Sequence, residues 1–274
     1  IVHLDRSRGW ARGVRAVFGR LPIAFPNLFL PTWQIEGLAT YTESRLTGEG
    51  RLRAGDFRAI EREAARARRI EPLDRVNGGL TDWPHGLAPY VYGLGFHQYL
   101  ASRYGDATIA TVAERTAGRL PYTASQVFKG VYGRSLGELW RDYSEAAIAA
   151  VDKSGGNETP ARRLTEHGFA VEGPRFAPGQ CADCPGEIIY SLRTPEGFPS
   201  LNAIRPDGSA GHQIATRYLG STSGVGRNAV VFDQQEIRRN VGLYSDLFVL
   251  DRSSGKVRAL TSGARLLDPD LSPA

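Results

Sequence analysis

The stretch Pro31–Ser44, PTWQIEGLATYTES, decides how the first half of this chain is read. Trp33, Ile35, Leu38, Ala39 and Tyr41 make it apolar enough for a core helix, yet Glu36 stands among them and Gly37, a poor helix former, follows at once. A carboxylate is costly to bury without a partner. The fold around this stretch must therefore give Glu36 something to hold.

Outward from it, residues 31 to 151 carry a helical pattern. Asp56 is positioned to cap a helix running to Ile70, and another covers Leu87 to Tyr104 and stops at Gly105. Asp106 opens the next, which stops near Gly118. Ser135 and Glu138 have the spacing of a capping box, before a helix containing Leu139, Trp140 and Tyr143. The Arg-rich run Arg51–Arg69 interleaves Asp56, Glu61 and Glu63 at helical spacing and reads as a solvated face.

DKSGGNETP, Asp152–Pro160, reads as a polar linker, and beyond it the period falls to two. EIIYSL (187–192), LNAI (201–204), AVVFD (229–233) and DLFVLD (246–251) read as strands. RPDGS (205–209) and RSSGK (252–256) read as hairpin turns. Their glycines, Gly208 and Gly255, are 47 residues apart, and two similar phrases, LTEHG…PRFAP and LTSG…PDLSP, have their first prolines 95 apart. Both spacings imply one repeating unit of about 47 residues, within the range of propeller blades.

Composition bounds the rest. The net charge of +5 lies wholly in residues 1–150, and no aromatic ladder accompanies the basic run, so a nucleic-acid partner is not expected. No apolar run is long enough for a transmembrane helix. Cys181 and Cys184 form a lone C-x-x-C, too few for a structural zinc site, and read as a local disulfide or as two unremarkable thiols. The chain has no Met and opens on Ile1, from which an internal fragment of a longer protein is expected.

Two resemblances follow. DLFVLDRSSGKVRALTSGARLLDPDLSP resembles the repeats of TolB-like β-propellers, which implies two blades and the first strand of a third over residues 161–274. W-x-x-E-G-x-A-x-Y, from Trp33 to Tyr41, resembles the second zinc helix of gluzincin (peptidase MA-like) metallopeptidases. Tyr90–Gly105, YVYGLGFHQYLASRYG, resembles a Y-x-x-G stretch of aminopeptidase-N-like enzymes, although the Lys that precedes the Gly in that family is Tyr92 here.

The gluzincin resemblance implies a mostly α-helical metallopeptidase part over residues 1–151, with Glu36 as a ligand of Zn2+ and Tyr90 as a donor to the oxyanion. None of the five histidines is followed by Glu, so H-E-x-x-H is absent. The opening IVHLDRSRGW resembles the residues that run on from that motif. His3 is then its second histidine or a residue one turn beyond; the alternative is a helix-surface or supporting histidine. His97 lies seven residues after Tyr90 and reads as core or support.

The implied fold is multidomain: a helical part (1–151), a linker (152–160) and an all-β partial propeller (161–274). The implied function is zinc-dependent hydrolysis of peptides or proteins by the full-length parent, bacterial and periplasmic or extracellular. Its propeller would gate substrate or bind a protein partner. The alternative is a non-catalytic propeller-based binding scaffold with a degenerate peptidase part.

Overall fold

The computed structural model describes residues 7–19, 21–79, 82–154, 162–220 and 222–272. The chain divides into two compact units, Ile1–Glu158 and Thr159–Ala274.

In the first unit the described residues form seven α-helices: α1 (Gly9–Phe18), α2 (Thr32–Thr47), α3 (Gly55–Arg66), α4 (Ala88–Tyr104), α5 (Asp106–Thr116), α6 (Ser125–Tyr132) and α7 (Leu136–Ser154). The capping box is formed: Glu138 Oε2 accepts from the Ser135 N–H at 2.8 Å, and Ser135 Oγ accepts from the Glu138 N–H at 3.3 Å. Helix α3 ends four residues before the expected Ile70. Arg68 turns to φ +55°, and its neighbour Arg69 bonds back to the Ala64 carbonyl, closing the helix. Helix α7 overruns the expected linker start, and its Asp152 lies 3.0 Å from the Arg68 guanidinium.

The core of this unit is aromatic. Trp33 of α2 is 2% exposed and packs edge-on against Phe96 of α4 (5.6 Å between centroids) and Trp140 of α7 (5.5 Å). Helix α4 is buried nearly all round and forms the axis on which the others pack.

The second unit holds two antiparallel four-stranded sheets, each in sequential order. The first contains β1 (Ala170–Ala177), β2 (Glu187–Arg193), β3 (Ser200–Ile204) and β4 (His212–Thr216). The second contains β5 (Ser223–Val225), β6 (Ala229–Arg238), β7 (Gly242–Asp251) and β8 (Val257–Ala259). Gly208 (φ +81°) and Gly255 (φ +69°) sit in the turns between the third and fourth strands of each sheet. The 47-residue spacing therefore marks equivalent turns.

The expected β-propeller is not the fold. Among the described residues there is no closed ring, and residues 260–272 contain no strand to begin a third blade. The two sheets instead share one core, in which Ile189, Leu201 and Ala203 of the first meet Val230, Phe232 and Leu250 of the second. Repetition of a four-strand meander is satisfied by two sheets covering each other, so the repeat defined the unit but not the assembly.

Two buried charges organise this unit. Arg217 is 1% exposed, and each of its five N–H donors has an acceptor. They are the Asp233 carboxylate and carbonyl, the Thr222 carbonyl, and the hydroxyls of Ser191 and Ser223. Since Ser191 belongs to β2 and Asp233 to β6, the guanidinium links the two sheets. Asp246 of β7, fully buried, accepts from Thr261 Oγ1, the N–H groups of Gly263 and Ala264, and Arg238. Burial pushes its carboxyl upward, but these four donors outweigh it and hold it below the usual range.

Candidate functional site

Helix α2 begins after Pro31 and ends where Gly48 turns left-handed at φ +73°. Its hydroxyl residues bond within the helix. Thr40 Oγ1 donates to the Glu36 carbonyl at 2.8 Å and Ser44 Oγ to the Thr40 carbonyl at 2.9 Å, which lets both be buried. The Trp33 N–H donates to Asn77 Oδ1 at 3.2 Å, fixing the first turn.

Gly37 is buried because α2 and α4 touch backbone to backbone there. A Cβ on Gly37 would lie 2.4 Å from the Gly93 carbonyl carbon. One on Gly93 would lie 2.3 Å from the Trp33 carbonyl oxygen. The stretches W-x-x-E-G and Y-x-x-G, 56 residues apart at their glycines, thus meet at those glycines.

Glu36, next to this crossing, is half-buried, and its carboxylate makes no hydrogen bond or ion pair among the described residues. Tyr90 lies in the first turn of α4, half-buried, with the Arg51 guanidinium 5.6 Å from its ring centre. Its hydroxyl also has no hydrogen-bond partner among the described residues. The crossing brings the helices of these two residues together, with no hydrogen bond between Glu36 and Tyr90. Tyr92 is fully buried and its hydroxyl has no hydrogen-bond partner among the described residues. Burial pushes that hydroxyl far up, with Glu71 and Glu61 adding to the effect.

Among the described residues the histidines do not gather with Glu36 into a metal-binding group. His3 lies outside the described residues. His97 is buried in α4, where its Nδ1 is 2.7 Å from the Gly93 carbonyl oxygen. His167 bonds Tyr190 at 2.9 Å, and His212 bonds the Ala210 carbonyl at 3.0 Å. Among the described residues no group of three or more His, Cys, Asp or Glu side chains stands close enough to hold a metal ion. Cys181 and Cys184 form an exposed disulfide in the β1–β2 loop.

One pair escaped the sequence reading. Glu61 is not part of a solvated face: its Oε1 accepts from the buried Tyr143 hydroxyl at 2.5 Å. Burial raises the Glu61 carboxyl, despite the Tyr143 bond and the Arg58 charge, and raises the Tyr143 hydroxyl as well. The pair borders a cleft of about 680 Å³ between α3, α4 and α7. The signal was present in sequence, since Glu61 shares the i, i+4 face of Phe57 and the i, i+3 face of Ala64.

Tyr41 belongs to the same helix as Glu36 but serves structure. Its hydroxyl donates to Asp106 at 2.7 Å, and burial, with that carboxylate, pushes it up to about 12. No family model, no curated protein and no solved structure matches this chain.

Proposed function

We propose that residues 1–151 are part of a gluzincin-like zinc metallopeptidase acting on peptides or proteins, in which Glu36 is a metal ligand and Tyr90 a donor to the oxyanion. The observation that carries this reading is the Gly37–Gly93 contact. It joins two stretches that separately resemble the same clan, and it does so through the small residue beside the proposed ligand. The unpaired, half-buried carboxylate of Glu36 supports it, because such a group is normally given a partner. The exposed Cys181–Cys184 disulfide supports an oxidising compartment, the periplasm or the cell exterior.

The described residues alone do not fit a zinc ion, which needs three protein ligands in a catalytic site. What they supply is one carboxylate on α2 and one phenol at the start of α4. The second reading is a binding protein without catalysis.

Zinc analysis separates the two. In a chain extended at its N-terminus by an H-E-x-x-H helix, the peptidase reading expects one tightly held zinc, lost in Glu36→Ala with the helical circular dichroism retained. Zinc unchanged by Glu36→Ala removes Glu36 from the site. No zinc in that chain favours the binding protein.

A further inference from the structure

A second cavity, of about 490 Å³, lies between α2, α4, α5 and α6. Its walls are largely aliphatic and aromatic, with Leu38, Leu100, Val112 and Phe128 among them. This size lies within the range of about 300–1,000 Å³ typical of small-molecule sites, which pair apolar walls with a few placed polar groups. Two such groups are present, Gln34 and His97, each only 4% exposed.

Their hydrogen-bonding states are defined by their neighbours. The Gly93 carbonyl can only accept, so His97 Nδ1 carries the ring proton and Nε2 presents a lone pair. That Nε2 has no hydrogen-bond partner among the described residues, and neither has the side-chain amide of Gln34. Both side chains line the cavity with hydrogen-bonding capacity that the protein does not use, so water or a ligand that enters can fill it. Burial holds His97 down at about 4, opposed by the Gly93 bond, so the ring is neutral at pH 7.

Glu43, exposed at the rim, is the only residue around the cavity that is charged at neutral pH among the described residues. An ionised ligand would find no counter-charge inside. A hydroxyl suits the polar pair, since it donates to the Nε2 lone pair and accepts from the Gln34 amide N–H. We infer that this cavity binds a small uncharged molecule with an apolar body and one hydroxyl, held between His97 Nε2 and the Gln34 amide. The site is separate from Glu36 and Tyr90, neither of which lines it.

The test is a 19F NMR titration of the whole chain with 4-fluorophenol and, in parallel, with fluorobenzene, which has the same ring without the hydroxyl. The phenol should bind saturably and about tenfold more tightly, the value of one buried hydrogen bond. Gln34→Leu should bring the two probes within about threefold, and it breaks no protein hydrogen bond, so the fold should survive. His97→Phe should do the same. In the unmodified chain, 4-fluorophenol should shift the His97 Nε2 15N resonance and leave Nδ1 nearly in place, a readout that depends on no variant. Absence of saturable phenol binding, equal binding of both probes, or a preference unchanged in folded Gln34→Leu would each overturn the assignment.

Discussion

Glu61 Oε1 lies 2.5 Å from the Tyr143 hydroxyl, a carboxyl from α3 bonded to a phenol from α7 inside the helical unit. Burial raises the folded-state carboxyl above the ordinary Glu value of about 4.3. The folded state therefore holds the proton more tightly than the unfolded chain. The stability this group contributes is fully present below about pH 4.3 and is lost as pH rises through the raised folded value. Glu61→Gln keeps an acceptor for Tyr143 and removes the charge. Its stability relative to wild type, from urea unfolding, should improve as pH rises from about 4 through the raised folded value and then level off. A difference that does not change with pH would mean that Glu61 is not held in a desolvating environment.

The Gly37–Gly93 crossing sets two known effects against each other. Glycine to alanine inside a helix ordinarily gains about 1 kcal/mol. Here the new methyl would meet backbone, which cannot swing aside, and overpacking of this kind costs about 1–3 kcal/mol or more. Gly37→Ala and Gly93→Ala should both be destabilising, while Gly137→Ala, in α7 with open space around it, should be neutral or stabilising. Thermal unfolding of the three variants checks the sign, and a gain at Gly37 would remove the close approach from the argument.

Tyr90 and Tyr92 separate a reactive role from a structural one. In a chain that shows peptidase activity, Tyr90→Phe should lower kcat by roughly 10²–10³ with KM little changed, as for other oxyanion donors. Tyr92→Phe deletes a buried hydroxyl with no partner and should raise stability by about 1 kcal/mol. Equal kcat for Tyr90→Phe and the parent would leave Tyr90 as a packing residue under Arg51.

Arg217 and Asp233 test how the two sheets are joined. Arg217→Met strands a buried carboxylate and should destabilise the second unit by about 3–5 kcal/mol. Adding Asp233→Leu removes the stranded charge and should restore much of that loss. Denaturant melts of the single and double variants, followed by near-ultraviolet circular dichroism, give the comparison. A double variant as weak as the single one would place the value of Arg217 in its bonds to Ser191, Ser223 and the backbone.

The division into helices and strands was legible because period and turn chemistry are local. The Ser135 capping box and the Gly208 and Gly255 turns are written within a few residues each. How the two meanders combine was not, since a repeat of 47 residues defines a unit and says nothing about what covers it. Glu61 was misread for a related reason: charge at helical spacing looks solvated until Tyr143, 82 residues away, is brought beside it. The His97–Gln34 cavity needed four helices to meet before its polar pair had a common space.

Asp246 ties the turn at Thr261–Ala264 to β7 through three of its four bonds. Its lowered carboxyl gives stability that is present above the unfolded value of about 3.9 and disappears as pH falls through the folded one. A proton on Asp246 thus acts on the clasp between β7 and the turn at Thr261–Ala264, whereas the pairing of β6 with β7 is made of backbone groups that do not titrate.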